Sequence, residues 1–236
     1  MVDHVNELVL PGEILTKFNE SEKTQKALLG PGLRQEDGDI IVSKPGILKF
    51  REPNVYWVDS FQKRYIPTKS DTVIGIVTAK AGDIFRVDIG GSDQATLSFL
   101  AFEGATKRNR PDVKVGDLVY AKLLVANKDM EPELVCIDSG GKNDGLGVIG
   151  REGGFMINTS INLVRKLLSA ECELFKTLGK NLQFEVAVGV NGRIWVKSRS
   201  VSQTIAVVNA IEASEFMTNA QIKTMCKKLA DTLAGF

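Results

Sequence analysis

Lys107, Arg108 and Arg110 stand within four consecutive positions of a polar stretch running from Glu103 to Lys114. Basic side chains this crowded can neutralise phosphates, and each contact to a single-stranded polyanion adds about −0.7 to the slope of log affinity against log salt. Arg86 and Lys122 extend the candidate set. The plainer alternative is a solvated loop or a contact to a neighbouring protein. A second stretch, Gly189-Val190-Asn191-Gly192, lies between two strand-like runs and is followed by Arg193 and Trp195. Asn-Gly is the pair that a type I′ hairpin favours, because both central residues need φ > 0, so this stretch reads as structural. Trp195 buries a large area wherever it is placed, and its plain reading is core packing within a sheet.

Other chemistries lack their residues. His4 is the sole histidine and sits in the N-terminal segment. No nucleophile elbow, P-loop, paired-carboxylate motif or metal-ligand spacing is visible, so no catalytic residue, metal or other cofactor is expected. The glycines from Gly140 to Gly154 come without a GxxxxGK pattern and read as a flexible interdomain linker. Cys136, Cys172 and Cys226 are isolated and lack CxxC spacing, which offers neither a disulfide framework nor a zinc ribbon. Met1 to Leu15 has no long apolar run, so neither a secretory signal nor a membrane span is expected, and a reducing cytoplasmic or nuclear compartment follows.

The chain has 236 residues, 43% hydrophobic and 25% charged, an ordinary globular balance. Its formal charge is +1, so any polyanion site must be a local patch and not a property of the whole surface.

The elements that must hold these residues fall into three groups. Up to Pro67, Pro11-Gly12, Pro31-Gly32 and Pro45-Gly46 punctuate short apolar runs, the pattern of a small β region, with Lys63 to Pro67 as a connector. From Asp71, five evenly spaced strands are predicted over Thr72–Thr78, Ile84–Ile89, Ala95–Phe99, Leu118–Val125 and Leu134–Ile137, which fits an OB-type barrel. After Gly154 the order is β-α-α-β-β-α-α. Ser160 is the expected N-cap of a helix with Ile161, Val164, Leu167 and Leu168 on one face. The next helix has Leu174, Phe175 and Leu178. Ile205, Val208 and Ile211 mark a third, and Thr218 with Gln221 forms a capping box for the last. The fold class is therefore mixed β and α+β, with domains at 1–67, 68–139 and 140–236.

The run Gly189-Val190-Asn191-Gly192-Arg193-Ile194-Trp195-Val196-Lys197 resembles the GxNG signature of RNA exosome cap subunits. Arg64-Tyr65-Ile66-Pro67, Asp71-Thr72-Val73-Ile74-Gly75, Lys107-Arg108-Asn109-Arg110-Pro111 and Val115-Gly116-Asp117-Leu118-Val119-Tyr120-Ala121 follow that family's order, and the resemblance covers nearly the whole chain. The absence of CxxC pairs sets aside the zinc-ribbon cap subunit. The Lys107–Pro111 segment and short C-terminal tail look more like the component three kind than its larger sister. Polynucleotide phosphorylase and NusA-type factors order or repeat these domains differently.

The resemblance implies an S1-type barrel followed by a KH-type domain, with the Gly189–Gly192 turn and Trp195 packed against the barrel. It implies a chain that does not cut RNA but sits with other cap subunits on a ring of RNase PH-like subunits. There it would guide single-stranded RNA toward an associated 3′-to-5′ exoribonuclease, in nucleus, nucleolus and cytoplasm and away from membranes. The N-terminal region would contact the ring, giving Tyr56, Trp57 or Phe61 a reason for exposure; the alternative is that they form that region's own core. The sequence departs from the family's RNA-binding pattern in two places. Asp83, Arg86 and Ser98 stand where S1 barrels present aromatics and a histidine, and each lost stacking platform removes roughly 1–3 kcal/mol per base. The helix junction Ser169-Ala170-Glu171-Cys172-Glu173 lacks the GXXG that KH domains use on RNA backbone. The alternatives from other classes are a free-standing RNA-binding S1/KH protein and a small ribonuclease, for which no site is found.

Overall fold

The computed structural model describes residues 4–17, 27–127, 129–151 and 153–234. Two compact units divide the chain, residues 1–62 and 63–236.

In the first unit, strands β1 (Leu8–Val9), β6 (Gly46–Arg51), β7 (Val55–Asp59) and β3 (Leu28–Leu29) form one sheet in that order. β2 (Ile14–Lys17), β5 (Asp39–Val42) and β4 (Leu33–Glu36) form another. Period-two alternation turns Ile40, Val42, Leu48 and Val58 inward to a small shared core. Asp37 and Gly38, at φ 49° and 89°, make the tight hairpin between β4 and β5. Tyr56 is buried and belongs to this unit's own packing, Trp57 is half-buried, and Phe61 is 58% exposed.

The second unit opens with a closed barrel of β8 (Thr72–Ala81), β9 (Ile84–Asp88), β10 (Ala95–Ser98), β12 (Met130–Val135) and β11 (Leu118–Asn127), closed by β11 pairing with both β8 and β12. Phe85 and Val87, Ala95 and Leu97, and Val119, Ala121 and Leu123 alternate into its core. Tyr65, expected in a connector, is in that core, with its hydroxyl donating to Asp71 Oδ2 at 2.7 Å. The fifth strand begins earlier than its apolar residues suggest. Asn127 pairs with Met130 across the hairpin, so Glu131 and Glu133 face outward on a strand that reads as loop in the sequence.

The expected linker is partly a strand. β13 (Gly147–Ile149) pairs with residues 118–120 of β11, on the edge that β8 leaves free. Gly147 and Gly150, at φ 124° and 82°, begin and follow this strand.

The α/β domain runs β14 (Phe155–Asn158), α1 (Ile161–Leu168), α2 (Leu174–Leu178), β15 (Phe184–Val188), β16 (Arg193–Ser198), α3 (Val201–Ala213) and α4 (Asn219–Ala234), with antiparallel sheet order β14-β16-β15. Ser160 Oγ accepts from Leu163 N–H at 3.0 Å, capping α1. Thr218 and Gln221 bond reciprocally before α4. Two helix faces are rotated from expectation. Leu168, the last residue of α1, is exposed while Leu163 is buried, and the inward stripe of α3 is Thr204, Val207, Val208 and Ile211, leaving Ile205 exposed. That stripe has i, i+3, i+4, i+7 spacing from Thr204, and Ile205 lies one position round the helix from it.

Candidate nucleic-acid interface

The basic loop follows a 3-10 turn, Phe99–Ala101, which Ser98 caps by accepting from Leu100 N–H at 3.3 Å. Ser98 is thereby committed to loop geometry. Asn109 shapes the loop beyond, since its N–H donates to Thr106 Oγ1 at 3.0 Å and its carbonyl accepts from Thr106 N–H at 3.0 Å. Arg110 is anchored, with its guanidinium 4.8 Å from the Phe99 ring centre and Nη2 3.0 Å from Asp83 Oδ1. Lys107 and Arg108 project from the loop, exposed and without a carboxylate partner among the described residues.

Arg86 lies near the same end of the barrel and pairs with Glu131 at 2.6 Å. Lys80, which the sequence did not single out, joins it there, 5.4 Å over the Phe85 ring. Its signal was faint, a lone lysine at the outer end of a strand. Lys122 is not brought to this cluster. It is in register with Thr72, at the opposite end of β8 from the Asp83 turn, which at about 3.3 Å per residue is roughly 30 Å away.

The Gly189–Gly192 turn joins β15 to β16 and points into the barrel. Gly192 has φ 84°, but Asn191 is not left-handed, so the type I′ expectation fails. The physical reason is where the asparagine amide goes. Its Oδ1 accepts from Ile74 N–H at 3.2 Å, and its Nδ2 donates to the carbonyls of Ile74 at 2.9 Å and Ile89 at 2.8 Å. Val190 N–H donates to Thr72 O at 2.9 Å. A Cβ on Gly189 would stand 2.7 Å from Ile74 N, so only glycine permits this approach.

Arg193 completes the seam. Nη1 donates to Asp88 O at 2.6 Å and Nη2 to Asp88 Oδ2 at 2.6 Å. Burial pushes the Asp88 carboxyl up, but the Arg193 hydrogen bond, Gly90 N–H and the Arg193 charge outweigh it and hold the group below the usual aspartate range. Trp195 packs with Ile74 and Ala187 under Leu118, Tyr120, Ile149 and Met156, its indole N–H buried without an acceptor among the described residues. Ile74 is buried although Val73 beside it fills the barrel core, because the seam covers the barrel's outer face there.

At the α1–α2 junction the N–H groups of Ser169, Glu171 and Cys172 are bonded within the turn, to Arg165 and Lys166 O, Ser169 Oγ and Ser169 O. Asn219 of α4 donates to Glu171 O at 3.0 Å, and Lys223 Nζ lies 2.6 Å from Glu173 Oε2. The Lys223 hydrogen bond, followed by charge from Lys223, Lys176 and Lys180, draws the Glu173 carboxyl below its ordinary range. Among the thiols, burial pushes Cys136 up to about 12 and raises Cys226, so neither supplies a thiolate nucleophile.

The chain is similar to known proteins along most of its length. The model described as the S1 domain of exosome complex component RRP40 matches residues 65–147, a KH-domain model matches residues 154–202, and a model of the mammalian RRP40 N-terminal region matches residues 5–61. Exosome complex component RRP40 of Drosophila melanogaster is 49% identical, over 96% of this chain and 97% of that protein. The mouse protein is 48% identical over 97% and 92%, and the human protein 53% identical over 88% and 77%. A crystal structure described as an exosome complex RNA-binding protein superposes with a TM-score of 0.58 at 26% identity, covering 72% of this chain and 98% of that one. With N-terminal region, barrel and α/β domain matched in order and near half of the aligned positions identical, the chain belongs to the exosome complex component RRP40 family.

Proposed function

We propose that the chain is a non-catalytic, RNA-binding cap subunit of the exosome. It sits with other cap subunits on a ring of RNase PH-like subunits and helps pass single-stranded RNA to an associated 3′-to-5′ exoribonuclease in nucleus, nucleolus and cytoplasm. Family membership over nearly the whole chain carries this reading. The seam supports it as well, because a barrel locked to its neighbour by Asn191 and Arg193 suits a fixed guide better than a flexible binder.

On the barrel, Lys107 and Arg108 are the first RNA-backbone candidates, as exposed point charges. Arg86 and Arg110 are secondary, already held by Glu131 and Asp83 in exposed ion pairs, each worth about 1 kcal/mol or less, that a phosphate can displace. Lys122 acts apart from them. Affinity purification of the tagged chain at moderate salt is expected to recover RNase PH-like subunits, while the isolated chain leaves RNA intact. Ribosomes, or no stable partner, would favour a free-standing S1/KH binder, and turnover by the isolated chain would refute the non-catalytic reading.

A further inference from the structure

The near-neutral charge of the chain is unevenly divided. Residues 140–236 carry twelve Lys/Arg against eight Asp/Glu, and residues 1–139 carry eighteen against twenty-one. The α/β domain is therefore the basic part of the molecule and the rest is mildly acidic. Within that domain four cations are tied to loops and neighbouring strands: Arg193 to Asp88, Lys166 to the carbonyls of Ser214, Glu215 and Met217, Arg199 to Gln183, and Arg151 to Asp117. Of the other eight, Lys176, Lys180, Lys223 and Lys227 are all exposed and lie in or beside α2 and α4.

The packing of α4 on α2 sets these lysines in two rows. Lys223 and Lys227 are one turn apart, about 6 Å along the axis, and so share a face. Lys223 is fixed by Glu173 at 2.6 Å. Lys180 and Lys227 line one open groove of about 620 Å³ together with Asn181 and Gln203. The opposing carboxylates are Glu173, Asp231 on the groove wall, and Glu171 at the junction beyond; neither Lys180 nor Lys227 has an ion-pair partner among the described residues.

We infer that this α2–α4 face is a second RNA-backbone site, where Lys180 and Lys227, flanked by Lys176 and Lys223, hold successive phosphates of a single strand. Lysine is depleted in the cores of protein interfaces, and the groove offers no aromatic anchor, which favours phosphate over a protein partner. Without a stacking platform the site reads charge and not sequence. It replaces in function the GXXG loop that the α1–α2 junction lacks, and it rests on the reading of the chain as an RNA handler.

The test is fluorescence anisotropy of the full chain with labelled oligouridine across a salt series. Lys180→Gln/Lys227→Gln is compared with Lys107→Gln/Arg108→Gln, and unchanged thermal midpoints confirm folding. Loss of two phosphate contacts is expected to flatten the log–log salt slope by about 1.4 and to weaken binding roughly 25-fold at about 0.1 M salt. Unchanged affinity in the α2–α4 variant with loss in the barrel-loop variant would overturn this site and leave the proposed function standing. If the chain binds no oligouridine but captures polyglutamate through Lys180 and Lys227, the face takes an acidic protein segment and the RNA assignment is wrong.

Discussion

Asn191 does the work of three hydrogen bonds with one short side chain, and all three reach peptide groups of the barrel. Asn191→Ala takes their partner from Ile74 N–H and Ile89 O and leaves Ile74 O only the Arg193 guanidinium at 3.3 Å, at an expected loss of about 3 kcal/mol in urea unfolding. Trp195 separates area from polarity. Trp195→Ala is expected to cost about 3–5 kcal/mol, whereas Trp195→Phe costs much less, because it also removes a buried donor that has no acceptor among the described residues. Asp88 makes stability depend on pH. Its folded pKa lies below the unfolded value, so its contribution is present above the ordinary aspartate value of about 4 and is lost as pH falls through the folded pKa. Acid titration of Asp88→Asn should therefore show a shallower loss of stability below about pH 4 than the parent chain.

Among the elements, those defined by period and caps were legible from sequence. The alternation of β9, β10 and β11, the Ser160 cap and the Thr218–Gln221 box depend on neighbours within a few residues. Elements set by distant partners were not. β13 is a strand only because β11 has a free edge, Ile74 is buried only because a second domain covers it, and the glycines between them carry no such mark. The Asn191-Gly192 pair has the composition of a tight hairpin, but that conformation occurs at Asp37-Gly38, while Asn191 turns its amide toward the barrel. In the candidate RNA site, charge was readable but pairing was not, since nothing local ties Arg86 to Glu131 or Arg110 to Asp83. At α4, Thr218→Ala removes the box and is expected to cost about 1 kcal/mol, read as a lower unfolding midpoint.

At the scale of the molecule, residues 63–236 contain two hydrophobic cores that meet through the Asn191, Arg193 and Trp195 seam. Cooperative unfolding requires that neither core lose its neighbour cheaply, so calorimetry should show barrel and α/β domain melting together. Asn191→Ala/Arg193→Ala should split that transition in two, and a single unshifted transition in the double variant would show that the seam does not couple them.

The buried indole at the seam also has an optical consequence. The chain contains two tryptophans, Trp57 and Trp195. With Trp57→Phe in place, all indole emission comes from a ring enclosed by Ile74, Ala187 and Tyr120, shielded from water dipoles that would relax its excited state. Its emission should be blue-shifted and poorly quenched by iodide while the seam is shut. Any cargo or neighbour that pries the two domains apart would then announce itself as a red shift, without a label.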